Sequence, residues 1–328
     1  MLAVALCLLA LASPAAGGTW VKQRSGTLAW LRGVYFADES RGWAVGGRGA
    51  LLSTEDGGAT WRLMPAPAED SLRDIFFADA LNGWIVCERG LHPLRDGDGP
   101  RSYLLRTSDG GRTWARVNVP GDERLVGVRF AGASHGWAFG ELGALYATRD
   151  GGANWARQGV PTRRLLLGAK FLDARRGWLA GAGGTLLRTE DGGANWREGS
   201  LVAEGRKPAA ANAQAGAGPR FNAVDFADER RGWAVGSRGG VYATEDGGRT
   251  WRAQESGVGA DLHDVKFTNP REGWVVGGEG LVLRTRDGGR TWRAESPVTP
   301  HALERLFAVG PARLWAVGFG GTVITLKD

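Results

Sequence analysis

Hydrophobic and polar residues alternate along this chain in short runs, and the whole pattern repeats with a long period. Each unit contains an alternating segment that often ends in Phe, a G-W-A-V-G-like segment, a short apolar run, an Asp-Gly-Gly turn and a final T-W-R-like segment. Short runs with a period of two, separated by glycine-rich turns, predict β-strands rather than helices. We therefore expect four strands per unit, named A to D from the centre of the fold outwards.

A tryptophan in the second segment of each unit marks the repeat. Consecutive copies are 41 residues apart, or 41 residues plus an insertion. The seven copies are Trp43, Trp84, Trp137, Trp178, Trp233, Trp274 and Trp315. Four strands in about 40 to 50 residues correspond to one propeller blade. The sequence thus predicts an all-β fold, a seven-bladed β-propeller with four antiparallel strands in each blade.

The two ends of the sequence complete the blade count. The last unit stops at Asp328, where a seventh Asp-Gly-Gly turn would begin, and the remainder of that turn stands near the start as 17–20. Trp20 precedes Trp43 by 23 residues, the same spacing as from Trp61 to Trp84. We expect the N-terminal segment to supply strand D of the last blade, which closes the ring and removes exposed sheet edges.

Two units are longer than the others, and their spacing locates the extra residues. About 12 residues near 92–103 are inserted between strands B and C of blade 2, and 14 residues within about 201–219 precede strand A of blade 5. B-to-C and D-to-A connections emerge on one face of such a sheet, here called the insertion face. Insertions in repeat proteins often mark the binding face, and tolerated loop drift is the alternative explanation. The A-to-B and C-to-D connections emerge on the opposite face, here called the Asp-Gly-Gly face.

The N-terminal residues look like a targeting segment. An apolar run, 2–12, precedes the small residues 13–16, so 1–16 are predicted to be a signal peptide cut after Ala15 or Ala16. A basic segment before the apolar run is missing, which leaves open an uncleaved anchor or a start codon placed too far downstream. We expect a secreted or periplasmic protein in which 17–328 form one propeller domain.

Six aspartates open the glycine turns, where a carboxylate can accept backbone N–H groups. A structural role is predicted because these carboxylates are spread around the ring, whereas catalytic carboxylates converge in one cleft. They are Asp56, Asp109, Asp150, Asp191, Asp246 and Asp287. The four histidines fall in different blades without the spacing of metal ligands. No catalytic residue, metal or cofactor is expected.

Arginines recur at two positions of the repeat and supply most of the net charge of +6. Arg48, Arg89 and Arg238 stand five residues beyond the blade tryptophan, and Arg32 and Arg73 stand eleven residues before it. Both positions belong to the insertion face, so these five arginines are the candidate partner-binding residues. A solvated arginine face without a partner is the alternative. A nucleic-acid partner is not expected, because the tryptophans are committed to packing rather than to base stacking.

The T-x-D-G-G-x-T-W turn resembles the Asp-box, or bacterial neuraminidase repeat. The fuller unit, clearest at 41–46 and 231–236, is similar to the photosystem II stability and assembly factor family of seven-bladed propellers. The resemblance covers 17–328 and implies a protein that is not an enzyme, that resides in the periplasm or thylakoid lumen, and that binds a reaction-centre subunit through an arginine-rich surface. We expect a monomer whose partner is a subunit of a membrane complex.

Two rival interpretations stay open. Sialidase-type glycoside hydrolases also carry Asp-boxes, but they pair a tyrosine with a carboxylate beside three arginines and contain an early Phe-Arg-Ile-Pro segment that is missing here. The tyrosines of this chain are Tyr35, Tyr103, Tyr146 and Tyr242, two of which are predicted on strand C. A glycan-binding propeller without catalysis would need exposed aromatic residues on the insertion face, where Tyr103 is the candidate.

Overall fold

A computed structural model describes residues 18–90, 100–202 and 218–327. In these ranges the strands form seven sheets. The innermost strand of each sheet contacts the innermost strands of its two neighbours, and the series of contacts closes on itself. The predicted seven-bladed propeller is therefore confirmed.

The first four blades follow the chain in order. β1 (Thr19–Gln23) belongs to blade 7. Blade 1 comprises β2 (Leu31–Phe36), β3 (Gly42–Gly46), β4 (Leu51–Thr54) and β5 (Arg62–Leu63). Blade 2 comprises β6 (Ser71–Phe77), β7 (Gly83–Glu88), β8 (Ser102–Thr107) and β9 (Ala115–Val117). Blade 3 comprises β10 (Leu125–Ala131), β11 (His135–Gly140), β12 (Leu145–Thr148) and β13 (Ala156–Arg157). Blade 4 comprises β14 (Leu166–Phe171), β15 (Gly177–Gly181), β16 (Leu186–Thr189) and β17 (Arg197–Glu198).

The remaining blades include one additional strand. β18 (Ser200–Val202) lies at the outer edge of blade 5, which otherwise comprises β19 (Phe221–Phe226), β20 (Gly232–Gly236), β21 (Val241–Thr244) and β22 (Thr250–Gln254). Blade 6 comprises β23 (Leu262–Phe267), β24 (Gly273–Gly277), β25 (Val282–Thr285) and β26 (Arg293–Ala294). Blade 7 comprises β27 (Leu303–Val309), β28 (Arg313–Gly318), β29 (Val323–Lys327) and β1. Short 3-10 turns occupy Glu141–Gly143, Ser237–Gly239, Gly278–Gly280 and Phe319–Gly321. Among the helices of the described ranges, none has the length and apolar composition needed to span a bilayer.

Blade 7 is closed by the N-terminal strand. β1 pairs antiparallel with β29, so that Thr19 lies opposite Lys327 and Trp20 opposite Leu326. Trp20 is buried in this sheet. The predicted closure is confirmed, and it pairs an edge that would otherwise leave backbone N–H and C=O groups open.

A repeated aromatic layer joins each blade to the next on the Asp-Gly-Gly side. In six of the seven junctions the strand B tryptophan stacks on the strand A phenylalanine of the following blade, with ring centroids 3.4–4.1 Å apart. Phe36, for example, lies between Trp315 and the edge-on ring of Trp61. Gly42 is required beside it, because a Cβ atom there would come within 2.5 Å of the Phe36 ring. Ring stacking and burial together tie neighbouring sheets.

Two sets of backbone hydrogen bonds define the faces. On the Asp-Gly-Gly face, the N–H of the first turn glycine donates to the A-to-B connection, as Gly57 does to the Ser40 carbonyl at 2.8 Å. On the insertion face, the B-to-C turn donates to the following D-to-A connection, as Gly49 does to the Asp70 carbonyl at 2.9 Å. The connections thus divide between the faces as the strand order predicts.

The predicted insertions and signal peptide lie largely outside the described residues, which omit 1–17, 91–99, 203–217 and 328. The first insertion ends earlier than predicted, because β8 already begins at Ser102. The second insertion begins with an element that the sequence did not predict. β18 pairs in parallel with β22 of the next blade and covers its edge.

Candidate partner-binding surface

A β-bulge at the start of strand A places one residue per blade at the end of the strand that adjoins the insertion face. The ladder between strands A and B shifts register there in all seven blades. A bulge leaves one residue unpaired and re-aims its side chain. The bulged residues are Arg32, Arg73, Val126, Leu167, Asn222, His263 and Glu304. Arg32 and Arg73 therefore occupy equivalent places in adjacent blades, as their spacing predicts.

The B-to-C turn holds a second side chain in an unusual backbone conformation. Arg48 and Arg238 have φ values of 56° and 55°, in the left-handed region that favours glycine. Gly320 takes this place in blade 7 with φ 65°. The turn tolerates a side chain because that side chain points into solvent, and both arginines are exposed. Arg89 departs from the pattern, since its φ is not positive and its N–H donates to the Arg101 carbonyl at 3.0 Å.

A groove between the B-to-C turn of blade 1 and its flanking D-to-A connections brings two of the predicted arginines together. The groove has a volume of about 740 Å³, and Trp30, Arg32, Arg48 and Leu63 contribute to its walls. In the described part of the chain, neither Arg32 nor Arg48 forms an ion pair. Burial, and then the charge of Arg73, lower the pKa of Arg32. The carboxylates of Glu304 and Glu88 act in the opposite direction. A further carboxylate in the groove would stabilise the charged guanidinium in the same way.

Aromatic side chains border this groove. The guanidinium of Arg32 lies 4.2 Å from the centroid of the Trp30 ring, and Trp30 meets Phe319 edge-on at 5.6 Å. The indole Nε1 of Trp30 donates to Glu304 at 3.1 Å. Trp30 is 38% exposed, Phe319 51% and Leu28 88%. We call Leu28, Trp30, Arg32, Arg48 and Phe319 the groove patch. It offers apolar area and two cations side by side, which suits a segment with both apolar and acidic side chains.

Sequence reasoning missed the aromatic half of the groove patch. Of the 15 tryptophans, 14 occupy the two repeating positions, and Trp30 alone stands outside both. That single departure from the period was the available signal. Phe319 carried no comparable signal, because its exposure depends on how blade 7 closes against blade 1.

Arg73 lies in a balanced ion network rather than beside a free cationic surface. Its Nη1 is 2.7 Å from Oε2 of Glu88, and Arg124 Nη1 is 2.6 Å from Oε1 of the same carboxylate. Arg124 also reaches Glu141 at 2.9 Å. Burial acts to raise the pKa of Glu88, but the two arginines outweigh it and hold that pKa below its usual range. These two arginines and two carboxylates form a network that carries no net charge.

Arg238 is not brought together with the other predicted arginines. It belongs to the B-to-C turn of blade 5, and blades 3 and 4 separate it from blade 2. Its backbone N–H donates to Oδ1 of Asp261 at 2.8 Å. The structure therefore groups Arg32 and Arg48, places Arg73 and Arg89 in the adjacent blade, and leaves Arg238 across the ring.

The six turn aspartates use their carboxylates within their own turns. In the first turn, Asp56 Oδ1 accepts the Thr60 N–H at 2.8 Å and the Thr54 hydroxyl at 2.8 Å, while Oδ2 accepts the Thr60 hydroxyl at 2.6 Å. Equivalent bonds recur at Asp109, Asp150, Asp191, Asp246 and Asp287. The side-chain and backbone bonds from Thr60 lower the pKa of Asp56 to about 2. Bonds from residues four places on likewise lower the pKa values of Asp150 and Asp191 to about 2.

Tyr103 is not the exposed aromatic residue that the sequence suggested. It lies on β8, it is 5% exposed, and its hydroxyl donates to Asp70 at 2.7 Å. Tyr146 and Tyr242 are also on strand C, which makes three tyrosines there rather than two. Tyr35 lies on strand A at the central channel. Over the described ranges, no three His, Cys, Asp or Glu side chains come together in a way that could hold a metal ion.

A family model matches most of the chain. The family is described as photosynthesis system II assembly factor YCF48, and the matched residues are 13–118, 154–251, 214–295 and 253–321. Among curated proteins, no sequence relative matches.

Solved structures share the fold over nearly the whole length. A structure described as YCF48 bound to D1 peptide matches with a TM-score of 0.73 and 21% identity, covering 97% of this chain and 100% of that one. YCF48 from Cyanidioschyzon merolae matches with a TM-score of 0.71 and 21% identity, covering 94% and 98%. The GH74 xyloglucanase from Xanthomonas campestris matches with a TM-score of 0.68 and 16% identity, covering 93% of this chain and 53% of the enzyme. At these identities the likeness shows a common fold.

Proposed function

The chain belongs to the photosynthesis system II assembly factor YCF48 family, and on this premise we propose that it binds a subunit of a membrane protein complex during assembly. The binding site is the groove patch on the insertion face, and the partner supplies an extended segment with apolar and acidic side chains. One solved structure with the same fold is described as bound to D1 peptide, which supports a peptide segment as the ligand. The protein acts outside the cytoplasm as a monomer without catalysis.

The proposal rests on the surroundings of Arg32 and Arg48. Within the described residues both lack an ion pair, and they share one groove with Trp30 and Leu63. An exposed aromatic ring beside unpaired guanidinium groups is characteristic of protein interfaces, where Trp and Arg contribute most of the binding energy. Arg89 continues the surface onto blade 2, where Arg73 is paired with Glu88.

A glycoside hydrolase is the second candidate, because the GH74 xyloglucanase shares the fold. A sialidase-type site would need a tyrosine paired with a carboxylate. Tyr35 faces the channel, but its contacts among the described residues are aromatic rings and no hydrogen bond to a carboxylate. Burial raises the pKa of Tyr35 to about 12, which disfavours the phenolate of a nucleophile. These features count against a sialidase-type site.

The decisive experiment is crosslinking in the native host followed by mass spectrometry. Tagged wild-type protein is compared with Arg48→Glu and Arg238→Glu. The two arginines have the same turn position, backbone conformation and exposure, but only Arg48 lines the groove. We expect wild type and Arg238→Glu to capture the same membrane-complex subunit, and Arg48→Glu to lose most of it.

Other outcomes would count against the proposal. Equal capture by Arg48→Glu and wild type would remove the groove patch as the site. Equal loss in both variants would indicate a general charge effect of the insertion face. Hydrolysis of a glycan by the purified protein, or recovery of no membrane subunit, would favour the hydrolase.

A further inference from the structure

The central channel is lined by strand A side chains that the assembly role does not use. It contains a cavity of about 290 Å³. One side of the cavity, formed by blades 7, 1 and 2, carries the aromatic rings of Phe307, Tyr35 and Phe76. Tyr35 lies 4.7 Å from Phe307 and 5.3 Å from Phe76 between ring centroids. This aromatic side is a continuous apolar wall.

The rest of the cavity lining carries charged side chains, with one more cation than anions. The cations are Arg129, Lys170, Lys266 and Arg305, and the anions are Asp74, Asp225 and Asp264. A cleft whose lining carries a net charge of one sign, in a low-dielectric surrounding, concentrates ions of the opposite sign. The cavity is therefore suited to an anion.

The three carboxylates are held against the channel wall by backbone groups of neighbouring strands. Asp225 Oδ2 accepts the Phe267 N–H at 2.8 Å, and Asp264 Oδ2 accepts the Leu306 N–H at 2.9 Å. Asp74 Oδ2 accepts the Val128 N–H at 3.1 Å. Asp74 Oδ2 also lies 2.6 Å from Arg129 Nη1. The three carboxylates therefore compensate three of the four cations and leave one positive charge in excess.

The two channel lysines share a single carboxylate. Lys170 Nζ is 2.9 Å from Asp225 Oδ1, and Lys266 Nζ is 3.7 Å from the same oxygen. Asp225 acts to raise the pKa of Lys266, but the charge of Lys170 and burial lower it more, so the pKa lies below its usual value. Each ammonium group has three donors. Both lysines retain exposed area, 26% and 28% of the side chain, so a ligand can reach them.

We propose that the central channel binds a small aromatic carboxylate. Its ring packs against Tyr35, Phe76 and Phe307, and its carboxylate accepts hydrogen bonds from Lys266 and Lys170. The added negative charge balances the excess cation and reduces the repulsion between the two ammonium groups. The site is distinct from the groove patch, which lies on the insertion face at the blade 1 turn.

Isothermal titration of the full chain with benzoate tests the site, and benzamide is the uncharged match for the same ring. We expect saturable binding of benzoate and at least about tenfold weaker binding of benzamide, as for a lost charge-assisted hydrogen bond. Lys266→Met should weaken benzoate binding by a similar factor. That variant keeps the closer Lys170–Asp225 ion pair, so the fold is expected to persist, and circular dichroism checks it.

Two further variants serve as a second test and a control. Lys170→Met removes the other ammonium group of the site and should also weaken benzoate binding. Lys22→Met removes an exposed lysine of β1 outside the channel and should leave binding unchanged. Absence of saturable benzoate binding, equal affinity for benzamide, or equal effects of Lys266→Met and Lys22→Met would each overturn the proposal.

Discussion

The two faces of the propeller use the same repeat in opposite ways. On the Asp-Gly-Gly face, six turns repeat one set of hydrogen bonds, with Thr or Asn completing the same bonds to each aspartate. On the insertion face, the strand A bulge recurs in all seven blades, but the side chains at equivalent positions differ. The bulged residue is Arg in two blades and Val, Leu, Asn, His or Glu in the others.

This difference separates the part of the repeat that builds the ring from the part available for recognition. A position whose side chain bonds within its own turn cannot change without weakening that turn. A bulge or a left-handed turn residue fixes only where a side chain points, so different chemistry can be placed there at little structural cost. The groove patch arises where Arg32 and Arg48 meet two aromatic residues that do not repeat.

The largest expected contrast between the faces is in stability. Phe36→Ala empties the space between Trp315 and Trp61 and should lower the free energy of unfolding by about 3–5 kcal/mol, as for other buried phenylalanines. Phe319→Ala removes the same atoms from the half-exposed insertion face and should cost less than about 1 kcal/mol. Urea unfolding of both variants measures the contrast, and similar losses would mean that the faces do not divide as described.

Acid should act mainly on the Asp-Gly-Gly face. The pKa values of Asp56, Asp150 and Asp191 are about 2, below the value of about 3.9 for an unfolded aspartate. Their contribution to stability is therefore complete above about pH 4 and is lost as the pH falls towards 2. We expect the melting temperature of wild type to fall across this range, and to fall less when all three are replaced by asparagine.

The control for the acid experiment is Asp122→Asn, which changes an exposed carboxylate on a D-to-A connection of the insertion face. Its melting temperature should follow wild type at every pH. A triple variant that loses stability as steeply as wild type would show that other groups determine the acid response.

The smallest expected effect concerns the turn residues of the insertion face. Arg48→Gly relieves a left-handed conformation that costs a side chain about 1–2 kcal/mol, while glycine loses about 0.5–1 kcal/mol in chain entropy. The variant should be as stable as wild type or up to about 1.5 kcal/mol more stable. Arg89→Gly has no such relief and should be slightly destabilising. Equal losses of melting temperature in the two variants would contradict this account.

The fold was predictable because each blade repeats the same local signals. The tryptophan spacing predicted the number of blades. The remainder of the seventh turn, at 17–20, predicted the closing strand that the structure shows. Features that depend on contacts between blades were not predictable. The β18 edge strand consists of three ordinary residues, and it forms because β22 of the next blade offers a free edge.

The candidate site was predictable only in part. Residue spacing placed Arg32 and Arg48 on one face, but spacing alone cannot show that Glu88 pairs with Arg73 and leaves Arg48 unpaired. The assignment of Tyr103 was wrong because an insertion boundary is ambiguous in sequence, and β8 extends two residues into it. Side-chain pairing across blades requires the folded ring.

The pairing of Thr19 with Lys327 also fixes how the molecule can be tethered. Strand D starts and strand C ends on the Asp-Gly-Gly face, so any tag, linker or support attached at either end of the described chain leaves from that side. The groove patch then faces away from the attachment point. Immobilising the protein at either end of the described chain should present the same open surface, which makes the two orientations interchangeable in a capture assay.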